Sequence, residues 1–310
     1  IGTLLIASSG LLQVNLGLSQ NEQFLDQPES IAGLEVLSQG FAGGTSDPIV
    51  VLTTPAQAAA VEISLRQVPE VVDVTPGAAT TEVAQLNVVT KAISGTDAAE
   101  ADIAILRDAL ANYSETYVGG TTAEQVDRNA SILRDWLLIV PIVLILVLAV
   151  LIWLLKSVLA PVLLVFTVVG NFLASLGLSW LIFTEVFGFV GLESGVPLLA
   201  FLFLVALGVD YNIFLVTRAR EDAQTLGTAE GMLRALASTG GVITSAGVLL
   251  AAVFAVLGVL PLVTLTQIGV IVCVGVLLDT LLVRTIIVPA LGVLLAEKFW
   301  WPGAILRTEK

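Results

Sequence analysis

From residue 136 onward the chain is a series of apolar runs. They cover 136–155, 158–183 and 196–217, then about 240–260 and 264–296. Each reaches the roughly 20 residues that a helix needs to cross a hydrocarbon core. The opening run, 1–17, is apolar but shorter, with no basic residue before it. It reads as the tail of a further span, a truncated transmembrane helix over 1–18. Between these two parts the texture changes. Apolar positions at 48–54, 71–75, 82–92 and 115–118 predict strands, and those at 30–39, 56–68 and 99–111 predict helices. Ala58, Val61, Ile63, Leu65 and Val68 supply the apolar positions of the second helix. Pro55 stops the first strand, Pro76-Gly77 closes the second, and Thr96 stands at an N-cap position. The order is β-α-β-β-α-β, the split βαβ arrangement. A polar helix over 121–134 leads into the first complete span.

The predicted division is therefore 1–18, end of a span; 19–135, an α+β domain; 136–300, five transmembrane helices; and 301–310, a tail. Composition agrees with a polytopic α-helical membrane protein. Of the 310 residues, 56% are hydrophobic, and a mean hydropathy of +0.98 is too high for an ordinary soluble domain of this size. Charge is unevenly placed. The segment 20–135 holds 17 acidic and 5 basic residues, so nearly all of the net −13 lies there. That excludes a basic nucleic-acid footprint and suits a domain that stays in water away from anionic lipid.

Basic residues also set an orientation. With the α+β domain outside, Lys156, Arg218, Arg220, Arg234, Lys298, Arg307 and Lys310 all fall on the cytoplasmic side, with Arg284 near it. The outer loops 184–195 and 261–263 carry none. Trp136 and Trp180 then lie at outer ends of spans, and Trp153, Trp300 and Trp301 at inner ends, as an aromatic belt requires.

The candidate chemistry lies within the spans. Asp210 sits inside the third, and an intramembrane carboxylate faces a bundle interior or a water cavity and often carries protons. Desolvation disfavours its charged form, which suits proton uptake and release. Tyr211 and Asn212 follow directly and can hydrogen-bond a carboxyl group. The alternative is a structural polar contact between helices. Asp279 and Arg284 form a second polar pair on the fifth span. Five residues on an α-helix turn through about 140°, so each is expected to meet a different neighbour, with Arg284 free to snorkel. Thr244 and Ser245 are possible partners for Asp210. Gly247, Ala251 and Ala255 repeat at the spacing that lets helices approach closely. Residues 218–238 read as a short amphipathic helix on the cytoplasmic face. Cys273, in an apolar run, reads as a packing residue. No phosphate-binding loop, nucleophile elbow or histidine is present, so neither ATP use nor covalent catalysis is expected, and no bound cofactor or metal is expected either.

The run from Gly208 through Asp210, Tyr211 and Asn212 to Leu215, the following Arg218 to Glu221, the Thr244 to Gly247 stretch, and Asp279 to Arg284 resemble the C-terminal half of actinobacterial MMPL transporters. These belong to the resistance–nodulation–division superfamily. Leu16 to Leu25 and Gly44 to Pro48 are similar to the family's entry into its second external domain. The resemblance implies twelve spans in two halves, each with a porter-like external domain. It implies a proton relay through Asp210, Tyr211, Asp279 and Arg284, and a lipid or other hydrophobic substrate bound for the cell envelope. It also implies a missing N-terminal half as partner, in the plasma membrane. Two rivals stand beside it. One is a proton-driven helper of protein secretion on the same plan. The other is a sterol-sensing-like membrane protein in which Asp210 is structural.

Overall fold

The computed structural model describes residues 2–14, 17–18 and 29–303. Parts of the 16–25 similarity, and Arg307 and Lys310 of the tail, lie outside the described residues. The chain forms two compact units, one of 18–134 and one of 1–17 with 135–310.

In the second unit α1 (Gly2–Ala7) runs into a 3-10 turn, Ser8–Gln13. The first unit begins with α2 (Glu29–Gly40), followed by β1 (Ile49–Thr53), α3 (Ala58–Arg66), β2 (Val71–Ala79), β3 (Ala84–Thr90), α4 (Asp97–Ala109) and β4 (Tyr117–Gly119). This is the expected β-α-β-β-α-β order. The sheet runs β2-β3-β1-β4 and every neighbouring pair is antiparallel. Strict alternation builds it. Val51, Leu86 and Val88 point to one face and meet Val61 and Leu65 of α3 and Ile103 and Leu106 of α4, all at most 3% exposed. The Thr96 hydroxyl accepts from the Ala99 amide at 3.4 Å and caps α4 as predicted. Two details differ from the sequence reading. Ile63 is exposed rather than buried. Pro76 does not end β2, because the strand continues to Ala79 through a register shift. β2 lies at the sheet edge, where a residue without an N–H is tolerated.

Among the described residues, five helices are long and apolar enough to cross a membrane. They are α5 (Thr121–Leu155), α6 (Leu159–Ile182, extended by a π-turn to Phe187), α7 (Val196–Leu226), α8 (Thr228–Leu257), and a fifth span. That span is built from α9 (Val263–Leu278), a π-helical stretch (Asp279–Ile287) and α10 (Val288–Leu295). The protein is thus a polytopic α-helical membrane protein with a porter-like split βαβ domain. The expected amphipathic helix over 218–238 is absent as a separate element. α7 and α8 simply extend beyond their apolar parts and meet at Gly227, whose φ of 82° only glycine adopts freely. The Trp136 ring packs on Phe172 of α6 and Phe201 of α7, with centroids 6.2 Å away in both cases. Trp153 and Trp301 face outward, as a belt residue does. Trp180 and Trp300 are buried, and Trp300 spends its Nε1–H on the Thr228 hydroxyl at 3.1 Å.

Candidate functional site: a buried ion pair in a π-helical turn

The fifth span changes helical type where it carries its charges. α9 ends at Leu278, and over Asp279–Ile287 the backbone bonds i to i+5. A π-turn is wider than an α-turn, so residues five apart come nearly into line. The Thr285 hydroxyl donates to the Thr280 carbonyl at 2.8 Å, the same spacing. Asp279 and Arg284 are also five apart, and Arg284 Nη2 donates to Asp279 Oδ2 in a direct ion pair. This corrects the expectation that they face different neighbours: the 140° offset belongs to an α-helix, and this turn is not one. Arg284 does not snorkel either. Both residues are 3% exposed.

α7 completes the site. Arg284 Nη2 reaches the carbonyls of Leu207 at 3.2 Å and Gly208 at 3.5 Å. Its guanidinium carbon lies 4.5 Å from the centroid of the Tyr211 ring. A desolvated cation over an aromatic face gains about 2 kcal/mol or more. Asn171 of α6 donates from Nδ2 to the Gly275 carbonyl at 3.0 Å, tying α6 to α9 at the same depth. A small cavity is lined by Asn171, Gly208, Tyr211, Asp279, Thr280 and Arg284. Taking two charges out of water costs several kcal/mol per ion, and only good geometry and added hydrogen bonds offset it. The arrangement therefore holds one carboxylate and one guanidinium at a cost that changes sharply if either gains or loses a proton.

Tyr211 is thus brought to Asp279 and Arg284, while Asp210 is not. Asp210 is exposed on α7 and has no partner among the described residues. Asn212 is 1% exposed, and neither end of its amide has a partner among the described residues. Ser245 is exposed and its hydroxyl turns back to the Val242 carbonyl at 3.0 Å. Thr244 lines an open groove on α8 with Gly240, Gly241 and Ser245. Neither hydroxyl answers Asp210. Gly247 and Ala251 are buried and pack as expected, but Ala255 is exposed. Asn171 and Thr280 were missed by sequence reasoning. The available signal was Asn171 itself, the one side-chain amide in the run 158–183.

A family model described as "MMPL family" matches residues 27–309. The chain belongs to the MMPL family. Among curated relatives, the membrane protein ActII-3 of Streptomyces coelicolor is 42% identical over 312 residues, covering 99% of this chain and 44% of the relative. The apo-petrobactin exporter of Bacillus anthracis is 38% identical over 208 residues, covering 66% of this chain and 28% of that protein. The sulfolipid-1 exporter MmpL8 of Mycobacterium tuberculosis is 40% identical over 198 residues, covering 62% and 17%. The MMPL chain described here thus spans less than half the length of these relatives. It is a multi-pass membrane protein of a family with named exporters.

Proposed function

We propose that this chain is one half of a proton-driven exporter of lipids or other hydrophobic compounds. In this reading residues 19–135 lie outside the plasma membrane and the C-terminus lies in the cytoplasm. The observation that carries the reading is the fully buried Asp279–Arg284 pair beneath Tyr211. A buried ion pair is weak evidence for stability, because apolar side chains of equal volume do as well or better. Its presence in a span points to a working site, by the default for intramembrane charges. The names of the B. anthracis and M. tuberculosis relatives supply examples of exported compounds, apo-petrobactin in one and sulfolipid-1 in the other.

The mechanism follows from charge. A proton arriving from outside on Asp279 would cancel one member of the pair. The Arg284 cation would then keep only the Tyr211 face and two carbonyls. An uncompensated buried charge costs about 3–5 kcal/mol, enough to favour a second packing of the fifth span against α7. Alternation between two packings moves the external domain and passes the substrate outward. Asp210 belongs to the same relay from an exposed face of α7. It is exposed on this bundle, and a carboxylate facing hydrocarbon costs about 2.5–3.5 kcal/mol on insertion scales. A second half of the transporter covering that face would remove the cost and supply the next proton partner.

The test is proton-coupled export by the two halves together, with Asp210→Asn and Asp279→Asn compared at matched expression and fold. Loss of export in both supports the relay. Unchanged export in either one removes that residue from it.

A further inference from the structure

Around the ion pair, more polar atoms are buried than the protein itself satisfies. Asp279 Oδ1, Thr280 Oγ1, Asn171 Oδ1 and Arg284 Nε and Nη1 have no partner among the described residues. Their residues are all between 1% and 3% exposed, and all line the same cavity. Leaving a buried polar group unpaired costs about 1–3 kcal/mol, and more if it is charged. Such a cost, repeated on one small chamber, marks a place for a ligand that both donates and accepts. The cavity volume is about 10 Å³, close to the lower bound for a single water. Water also matches the chemistry. It can accept from the guanidinium, donate to the carboxylate, and donate to an amide oxygen, whereas a metal ion would be repelled by Arg284. Asn171 is oriented for this. Its Nδ2 is committed to the Gly275 carbonyl, so Oδ1 is the atom left for the chamber.

We propose that this chamber is a single-water site, and that Asn171 positions the water between Asp279 Oδ1 and the free guanidinium nitrogens of Arg284. The water gives the carboxylate oxygen turned away from Arg284 a proton donor and acceptor. Gly247 of α8 guards the site's size. A methyl group there would strike the Thr280 hydroxyl, and Thr280 lines the chamber. The role in proton movement rests on the exporter reading, but the water site does not.

The experiment is a structure of the intact transporter in a lipid nanodisc, at a resolution that shows ordered water, with export measured on the same preparations. The expected result is one density peak within hydrogen-bond distance of Asn171 Oδ1, Asp279 Oδ1 and Arg284. Asn171→Leu, which keeps the volume and removes the acceptor, loses the peak and loses proton-coupled export. Asn171→Ser, whose shorter side chain leaves room for a second water, restores both. Restoration matters because the serine does not rebuild the bond to Gly275, so a merely structural Asn171 stays unrescued. Gly247→Ala leaves Asn171 in place and tests the site if the leucine variant does not fold; it also loses the peak. A wild-type chamber without the peak, or a peak that survives Asn171→Leu, overturns the proposal. Loss of the peak with export unchanged keeps the water site and overturns the proton relay instead.

Discussion

Removing one member of the Asp279–Arg284 pair strands the other in a site where both are only 3% exposed. Asp279→Asn should therefore destabilise the membrane unit by about 3–5 kcal/mol, read as a lower unfolding midpoint in detergent. Replacing both, as Asp279→Leu with Arg284→Met, removes the stranded charge and should bring the midpoint back toward wild type without restoring export. A double variant as unstable as the single one makes the pair structural. The extramembrane unit carries a different titration. Burial pushes the Asp102 carboxyl above its ordinary range, against a smaller opposing effect of a Thr90 hydrogen bond, and Glu100 moves the same way through burial and Asp97. The folded domain then binds these protons more tightly than the unfolded chain. The contribution of these two groups to its stability is fullest below the unfolded carboxylate value of about 4 and is lost as pH rises through their folded values. Asp127 runs opposite, held low by the Arg107 hydrogen bonds at 2.7 and 2.8 Å, and loses its contribution as pH falls. It is largely exposed and contributes little. Asp102→Asn should flatten the decline as pH rises above about 4, checked by hydrogen exchange of α4 amides. An unchanged slope would place the titration elsewhere.

At the level of elements, legibility depended on whether a standard helix or strand was the right ruler. The apolar run of β1 stopped by Pro55, the alternation in β3 and the Thr96 cap predicted the split βαβ domain because those segments are ordinary strands and helices. The π-turn defeated the same reasoning. Nothing in the apolar run 264–296 distinguishes a bond to i+5 from one to i+4, so Asp279 and Arg284 were set apart by an angle that the turn does not have. The outward face of Asp210 was equally hidden, because a span apolar on all sides does not declare which side meets its neighbours. Close approach is a third case, visible only in three dimensions. The 3-10 turn Ser8–Gln13 crosses α6 with Gly10 and Gly177 backbone against backbone. A methyl group at Gly177 would sit 2.9 Å from the Ser8 Cα, whereas one at Gly170 meets only the Leu4 Cδ1 at 3.9 Å. Gly177→Ala should therefore cost about 1–3 kcal/mol by overpacking. Gly170→Ala on the same helix should be neutral or gain about 0.4–1 kcal/mol from reduced unfolded-state freedom. Equal unfolding midpoints for the two variants would mean that the Ser8–Gln13 turn does not sit on α6.

Across the whole molecule, span parity and charge make one joint statement about sidedness. Five spans place the start of α5 and the end of α10 on opposite sides of the membrane. Parity also groups the inner end of α5, the α7–α8 turn and the end of α10 together. Those three places hold Lys156, Arg218, Arg220, Arg234 and Lys298, while the α6–α7 and α8–α9 connections hold no lysine or arginine. Basic residues are retained on the cytoplasmic side, so the acidic domain is expected outside, where it avoids anionic lipid. The protein offers a clean assay, because Cys273 is its single cysteine. In a Cys273→Ala background, Thr81→Cys places a thiol in the β2–β3 connection and Gln224→Cys places one near the end of α7, both at exposed positions. A membrane-impermeant maleimide should label the first in intact cells and the second only after permeabilisation. The reverse pattern would invert the molecule and put the external domain in the cytoplasm. A proton arriving from outside would then enter from the α7–α8 side, and an export mechanism drawn from this orientation could not stand. Labelling at Thr81 in intact cells, with Gln224 protected, fixes the direction from which the Asp279–Arg284 site must be protonated and released.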